Sequence, residues 1–233
     1  MQLILYPILS SPTIPTTSSG FNLYVKNQRP GLEELPSPRF VATHMPYQTL
    51  HESLRDSQCK VVYVCRDIKD VLVSRWHFIS RLVKKELYSN YPVEEMVDKF
   101  IKGAYSFGLF QDQVLSYWKK SLVNTNPVLF MRYEEMIEKP EAQVIRLADF
   151  LGCLFTKEEK ESGMVEKIFE LCSLGNLSNL EANKTGTSTC GIAHHAFFRK
   201  GGVGDWKNHL TDDMARKLDE MVEKKLEGGL KFE

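Results

Sequence analysis

The stretch from Cys59 to His77, CKVVYVCRDIKDVLVSRWH, changes period in its middle. Lys60 to Cys65 is a short apolar, β-branched run and reads as a strand buried on both faces. The chain turns polar at Arg66 and Asp67. From Ile68 the spacing is helical, with Leu72, Trp76, Ile79 and Val83 at i, i+4, i+7 and i+11. Strand, tight turn and helix in that order constrain the chain to an α/β sheet, in which ligands bind at the carboxyl ends of the strands. Arg66 stands at such an end, and its guanidinium fork suits a phosphate. It also suits a simple ion pair with Asp67 or Asp70, and the residues alone leave both readings open.

Bulk properties narrow the partners. Thirty basic residues balance thirty acidic ones in 233 residues, so net charge gives no reason to expect nucleic acid or an anionic membrane. Any anion site must be built from a few placed side chains. The length suits one α/β domain. No apolar run reaches membrane-spanning length. The opening MQLILYPILSSP has no basic n-region and is interrupted by Pro7, which argues against a signal peptide. The sequons at Asn176 and Asn183 then read as coincidence. Cys59, Cys65, Cys153, Cys172 and Cys190 are odd in number, scattered and without a C-x-x-C pair, the pattern of reduced thiols in a cytoplasmic protein.

Residues 1–20 end in SSPTIPTTSSG and read as an irregular segment. Arg39 to Thr43 is a strand candidate, stopped by His44 and Pro46. Val93, Met96, Val97, Phe100 and Ile101 form a helical stripe that could continue through Trp118. Pro127 to Met131 is another short buried strand. Val144, Leu147, Ala148 and Leu151 mark a helix closed by Gly152. Thr156 and Glu159 form a capping box for a helix with a core face of Val165, Ile168, Phe169 and Cys172. SLGNLSNLEANKTGTSTCG reads as a long loop, and a last helix is capped by Thr211, with Met214, Leu218, Met221 and Val222 inward. Strands alternating with helices give a largely parallel sheet covered on both faces.

Two further strings carry chemistry. His44 directly follows a strand, and an imidazole titrates near neutral pH, as a general base must; a structural histidine is the alternative. In RKGGVGDWK, Arg199 to Lys207, two cations precede two glycines. Glycine lets a backbone approach an anion, and successive N–H groups make a nest for it; a basic loop with a glycine turn is the alternative. There is no Walker sequence, no G-x-G-x-x-G after a strand, and no histidine pair with metal-ligand spacing, so no metal is expected.

Taken together, the strings SPRFVATHMPY (37–47), CKVVYVCRDIKDVLVSRWHF (59–78), YWKKS (117–121), VLFMRYEEM (128–136), RLADFLGC (146–153), LCSLGNLSNLEANKTG (171–186) and FFRKGGVGDWKNHLT (197–211) resemble the cytosolic sulfotransferase family, its plant branch most closely. The resemblance implies a single α/β domain over residues 21–233, with a P-loop-like fold: a central parallel sheet flanked by helices. It implies transfer of a sulfuryl group from phosphoadenosine phosphosulfate (PAPS) to a hydroxyl of a small acceptor such as a flavonoid or steroid, without a metal. By the same resemblance His44 is the general base. Arg66 and Ser74 hold the donor's ribose phosphate, and Arg199, Lys200 and Gly201 close over it. Tyr133 contacts the donor, and Ser173 and Leu174 lie near the adenine.

The chain departs from the family's pattern in two places. The family's first strand leads into a phosphosulfate loop of the type P-K-S-G-T-T-W, and the residues before 21 hold no such string. The chain therefore resembles a member lacking its amino-terminal strand and P-loop, with unpaired strands on either side of the gap. Doubtful activity follows, the alternatives being a non-catalytic PAP- or nucleotide-binding remnant, or a non-functional product of an incomplete gene model. The family's dimer motif is half present: Lys207 and Thr211 match, whereas Asp212 and Arg216 do not. A cytoplasmic monomer or weak homodimer is expected, with no nucleic-acid or membrane partner.

Overall fold

The computed structural model describes residues 2–7, 41–50, 59–82, 91–103, 110–123, 128–188 and 191–224. Among the described residues four strands form one sheet: β1 (Gln2–Pro7), β2 (Val41–Thr43), β3 (Cys59–Cys65) and β4 (Val128–Arg132), in the order β2-β1-β3-β4. β3 and β4 are parallel, while β1 runs antiparallel to both β2 and β3. Hence β2, β3 and β4, the three strands expected from the sequence, all point one way, and their carboxyl ends share one edge. β1 corrects the reading of residues 1–20 as irregular; residues 8–20 lie outside the described part. Its short apolar run Leu3-Ile4-Leu5 was overshadowed by the Ser/Thr/Pro-rich sequence that follows. It pairs on both sides, from Leu3↔Thr43 to Leu5↔Val41 and from Gln2↔Val64 to Pro7↔Cys59. The expected gap with unpaired neighbours is therefore filled.

The helices are α1 (Ile68–Leu82), α2 (Val93–Ile101), α3 (Phe110–Ser121), α4 (Tyr133–Glu138), α5 (Pro140–Leu151), α6 (Lys157–Glu161), α7 (Met164–Leu171), α8 (Leu174–Asn179), α9 (Glu181–Thr185) and α10 (Asp212–Glu223). Period-two alternation in β3 and β4 sends side chains to both faces. Val61, Tyr63, Cys65, Val128 and Phe130 enter a core with α1, α2, α3 and α10. Val62, Leu129 and Met131 enter a smaller one with Met136, Leu147 and Phe150 from α4 and α5. Burial on both faces is why these runs are continuously apolar.

Several boundaries differ from the periodicity reading. The stripe begun at Val93 does not continue to Trp118: α2 ends at Ile101 and α3 is a separate helix. The helix after Thr156 breaks at Gly163 into α6 and α7. The capping box forms as expected, but only Val165 of the proposed core face is buried, with Phe169 half-exposed and Cys172 exposed. The long loop from Ser173 contains α8 and α9, and Ser173 caps α8 by accepting from the Asn176 N–H at 3.2 Å. Cys65, Cys153 and Cys172 are free thiols, and Cys190 lies outside the described residues.

Candidate functional site

The carboxyl edge of the sheet gathers residues far apart in sequence. β2 ends before His44, β3 before Arg66 and β4 before Tyr133. The register puts Thr43, Tyr63 and Phe130 level with one another through Leu3. At about 4.8 Å per strand, His44 stands two strand spacings, roughly 10 Å, to one side of Arg66.

Two side chains of α3 fix the segment that carries His44. Gln113 donates to the His44 carbonyl at 2.8 Å, and the Tyr117 hydroxyl donates to the Met45 carbonyl at 2.8 Å. Tyr117 is fully buried, stacked on Tyr63 with ring centroids 4.1 Å apart and edge-on to Tyr47 at 5.4 Å. Burial holds its phenol well above the ordinary tyrosine range, so it remains a donor at any working pH.

Arg66 lies with its guanidinium 4.6 Å from the Tyr133 ring centroid. It donates to the Gly202 carbonyl at 2.6 Å and pairs with Asp70 at 3.2 Å. The ion-pair reading of Arg66 is thus realised with Asp70. Asp67 instead caps α1, accepting from the Lys69 N–H at 2.9 Å; burial raises its carboxyl above the usual range. The Tyr133 hydroxyl donates to the Gly201 carbonyl. Arg66, Tyr133 and the Gly201-Gly202 turn therefore form one contact set.

Arg199 and Lys200 both reach Asp205, Arg199 at Oδ2 and Lys200 at Oδ1 (2.7 Å). Asp205 is buried, and hydrogen bonds from Lys200, then Arg199, hold its carboxyl far below the ordinary range. Gly201 has φ +64°, and a Cβ there would sit 2.9 Å from Leu174 Cδ2, so the turn needs glycine for conformation and for space. Ser74, half-buried, is on α1 between Asp70 and Phe78 at four-residue spacing. Asp70 holds the N–H groups of Gly204 (2.7 Å) and Trp206 (3.0 Å), and Phe78 meets Phe197 at 5.2 Å. The Ser74 face is thus the one along which residues 197–206 run.

A sulfotransferase-domain family model matches residues 6–229. The chain belongs to the sulfotransferase family. It is 53% identical over 215 residues to cytosolic sulfotransferase 1 of Arabidopsis thaliana, covering 91% of this chain and 65% of that protein. It is 50% identical over 233 residues to cytosolic sulfotransferase 6 of the same plant, covering 97% of this chain and 70% of that protein. A mouse sulfotransferase solved in complex with PAP superposes with a TM-score of 0.69 at 28% identity, over 85% of this chain and 69% of that one. The chain spans about 65% of the length of the first of these relatives.

Within this sulfotransferase-family chain, sequence reasoning named Asp70 only as an ion-pair partner of Arg66, and it missed Asp205, Gln113 and Tyr117. Asp70 sits one helical turn from Arg66, yet its second set of partners is 134 and 136 residues away. Asp205 had one signal, its place five residues from Lys200. Gln113 and Tyr117 had only their position on an apolar helix. Arg66 Nε and Arg199 Nε are buried and without a hydrogen-bond partner among the described residues, and an anion between the two loops can satisfy such donors.

Proposed function

We propose that this chain binds the ribose-phosphate part of PAPS and belongs to an enzyme that transfers the sulfuryl group to a hydroxyl of a small acceptor. The observation that carries the proposal is the convergence of Arg66, Tyr133 and the Gly201-Gly202 turn at the carboxyl ends of β3 and β4. Arg66, Arg199 and Lys200 set against Asp70 and Asp205 leave one net positive charge beside a glycine turn. That charge, two unpartnered guanidinium nitrogens and the Ser74 hydroxyl suit a terminal phosphate. In the transfer, His44 takes the acceptor's hydroxyl proton as its oxygen bonds to sulfur. The sulfur–oxygen bond to the 5′-phosphate breaks in line, and PAP leaves with that oxygen and its electron pair. Gln113 and Tyr117 set the backbone that aims His44.

A second reading has its own support. The 233 residues contain no P-K-S-G-T-T-W string, and antiparallel β1 occupies the position between β2 and β3. Losing a group that stabilises the leaving oxygen costs roughly a hundred- to a thousand-fold in rate. Residues 1–233 alone are therefore expected to bind PAP and turn over slowly. Thermal shift with PAP against ATP, followed by labelled PAPS with a panel of phenols and sterols, separates the readings. A PAP-specific shift with little product supports binding without transfer, turnover at the rate of longer relatives supports the complete enzyme, and no PAP-specific shift removes both.

A further inference from the structure

His77 lies on α1, one turn beyond Ser74, and His209 follows the 3₁₀ turn Asp205–Asn208. Their Nε2 atoms are 3.5 Å apart, and His209 Nε2 is 3.5 Å from Asp205 Oδ2. One ligand atom from each of the three residues falls within 4.8 Å of the other two. Ions bound tetrahedrally at about 2.0–2.1 Å have ligand atoms about 3.3–3.4 Å apart, so two sides of this triangle are already near ligand spacing. The donor set, two imidazole nitrogens and one carboxylate oxygen, is that of zinc, cobalt, nickel or copper rather than of magnesium or calcium.

We infer that His77, Asp205 and His209 form a three-ligand site for a divalent transition-metal ion, with its remaining position open to water. The carboxylate ligand is buried, and both histidines are partly buried beside it. The competitor is also visible. Arg199 donates to the same Asp205 oxygen that lies nearest His209, so an ion there must displace that guanidinium and is repelled by it. The site thus sets a metal ion and Arg199 against each other for one carboxylate, and ties metal loading to a residue of the anion-binding loop.

Trp76 supplies a reporter, its ring centroid 4.6 Å from that of His77 and 5.7 Å from that of His209. Titration of residues 1–233 with cobalt(II) alone is expected to quench tryptophan fluorescence saturably at one ion per chain. The near-ultraviolet spectrum should lack the sulfur-to-cobalt charge transfer that exposed Cys153 or Cys172 would give, and zinc(II) should reverse the quenching. His77→Gln and His209→Gln should each weaken binding at least tenfold, with circular dichroism confirming the fold, and Arg199→Gln should tighten it several-fold. Non-saturating quenching, a thiolate spectrum, or unchanged affinity in both folded histidine variants would overturn the site. If the variants do not fold, the stoichiometry and spectrum of the unsubstituted chain decide the matter.

Discussion

Replacing Asp70 tests the joint between the two loops that make the candidate site. Its carboxylate is fully buried, accepts the N–H groups of Gly204 and Trp206 at 2.7 and 3.0 Å, and pairs with Arg66 at 3.2 Å. Asp70→Ala leaves one partly buried guanidinium and two backbone donors without their acceptor. Removing one partner of a buried pair costs about 3–5 kcal/mol. At about 2–4 °C per kcal/mol for a chain of this size, the melting temperature should fall by roughly 6–20 °C. Asp70→Asn keeps the volume and one acceptor oxygen, but its NH₂ faces the remaining donor and Arg66. It should cost about 1.5–3 kcal/mol, the worth of a charge-assisted hydrogen bond. Urea denaturation measures both, and hydrogen exchange at the Gly204 amide reports the anchor itself. PAP affinity should drop at least tenfold in either variant, because Arg66 and residues 201–206 lose their shared support. Asp70→Ala within about 0.5 kcal/mol of the parent, the range of exposed substitutions, or a Gly204 amide still protected, would refute the reasoning.

Three further outcomes follow from named contacts. Tyr117→Phe keeps the stack on Tyr63 but removes the bond to the Met45 carbonyl; it should cost about 1–2 kcal/mol in urea and leave PAP affinity within about twofold, since it lies under His44 and not under Arg66. Gly201→Ala adds a Cβ in a left-handed conformation against Leu174 and should cost about 1–2 kcal/mol; Leu174→Ala on top should recover part of it, read as a positive coupling in a double-mutant cycle. The pH profile of stability should have two acid steps. His77 has a lowered pKa, so the unfolded chain binds its proton first, and stability falls as pH drops below about 6.5. Asp205 has a lowered pKa from Lys200 and Arg199, so its contribution is complete above about pH 4 and is lost below it. Asp205→Asn should shrink the lower step in a series of thermal melts, the remainder coming from other carboxylates such as Asp213, whose pKa Lys217 and Arg216 also lower.

The architecture was legible where one physical signal sufficed. β3 and β4 announced themselves as continuous apolar runs because both faces are buried, and Gly152 and the Thr156–Glu159 box ended and began helices where local chemistry required. β1 was not legible, because six residues before a Ser/Thr/Pro-rich stretch have no meaning until β2 and β3 stand on either side. The break between α2 and α3 was hidden since apolar periodicity persisted across it. In the site, strand-end position singled out Arg66 and His44, each with a structural alternative beside it, while Tyr133 came only from the family resemblance. The anchoring roles of Asp70 and Asp205 were not legible, because an acidic residue in a helix or a Gly-Asp-Trp turn looks solvated until its distant partners arrive. The His77–His209 pair was invisible for the same reason, its members being 132 residues apart.

The central claim is that Arg66 and the Arg199-Lys200-Gly201 turn recognise a ribose 3′-phosphate. Calorimetric titration of residues 1–233 with PAP and with AMP, which differ by that phosphate alone, tests it most directly. PAP should bind at least 100-fold more tightly, about 2.7 kcal/mol, and Arg66→Gln with Arg199→Gln should bring the ratio close to one while leaving AMP binding nearly unchanged. Equal affinities in the unsubstituted chain, or a ratio that survives the double substitution, would contradict the claim.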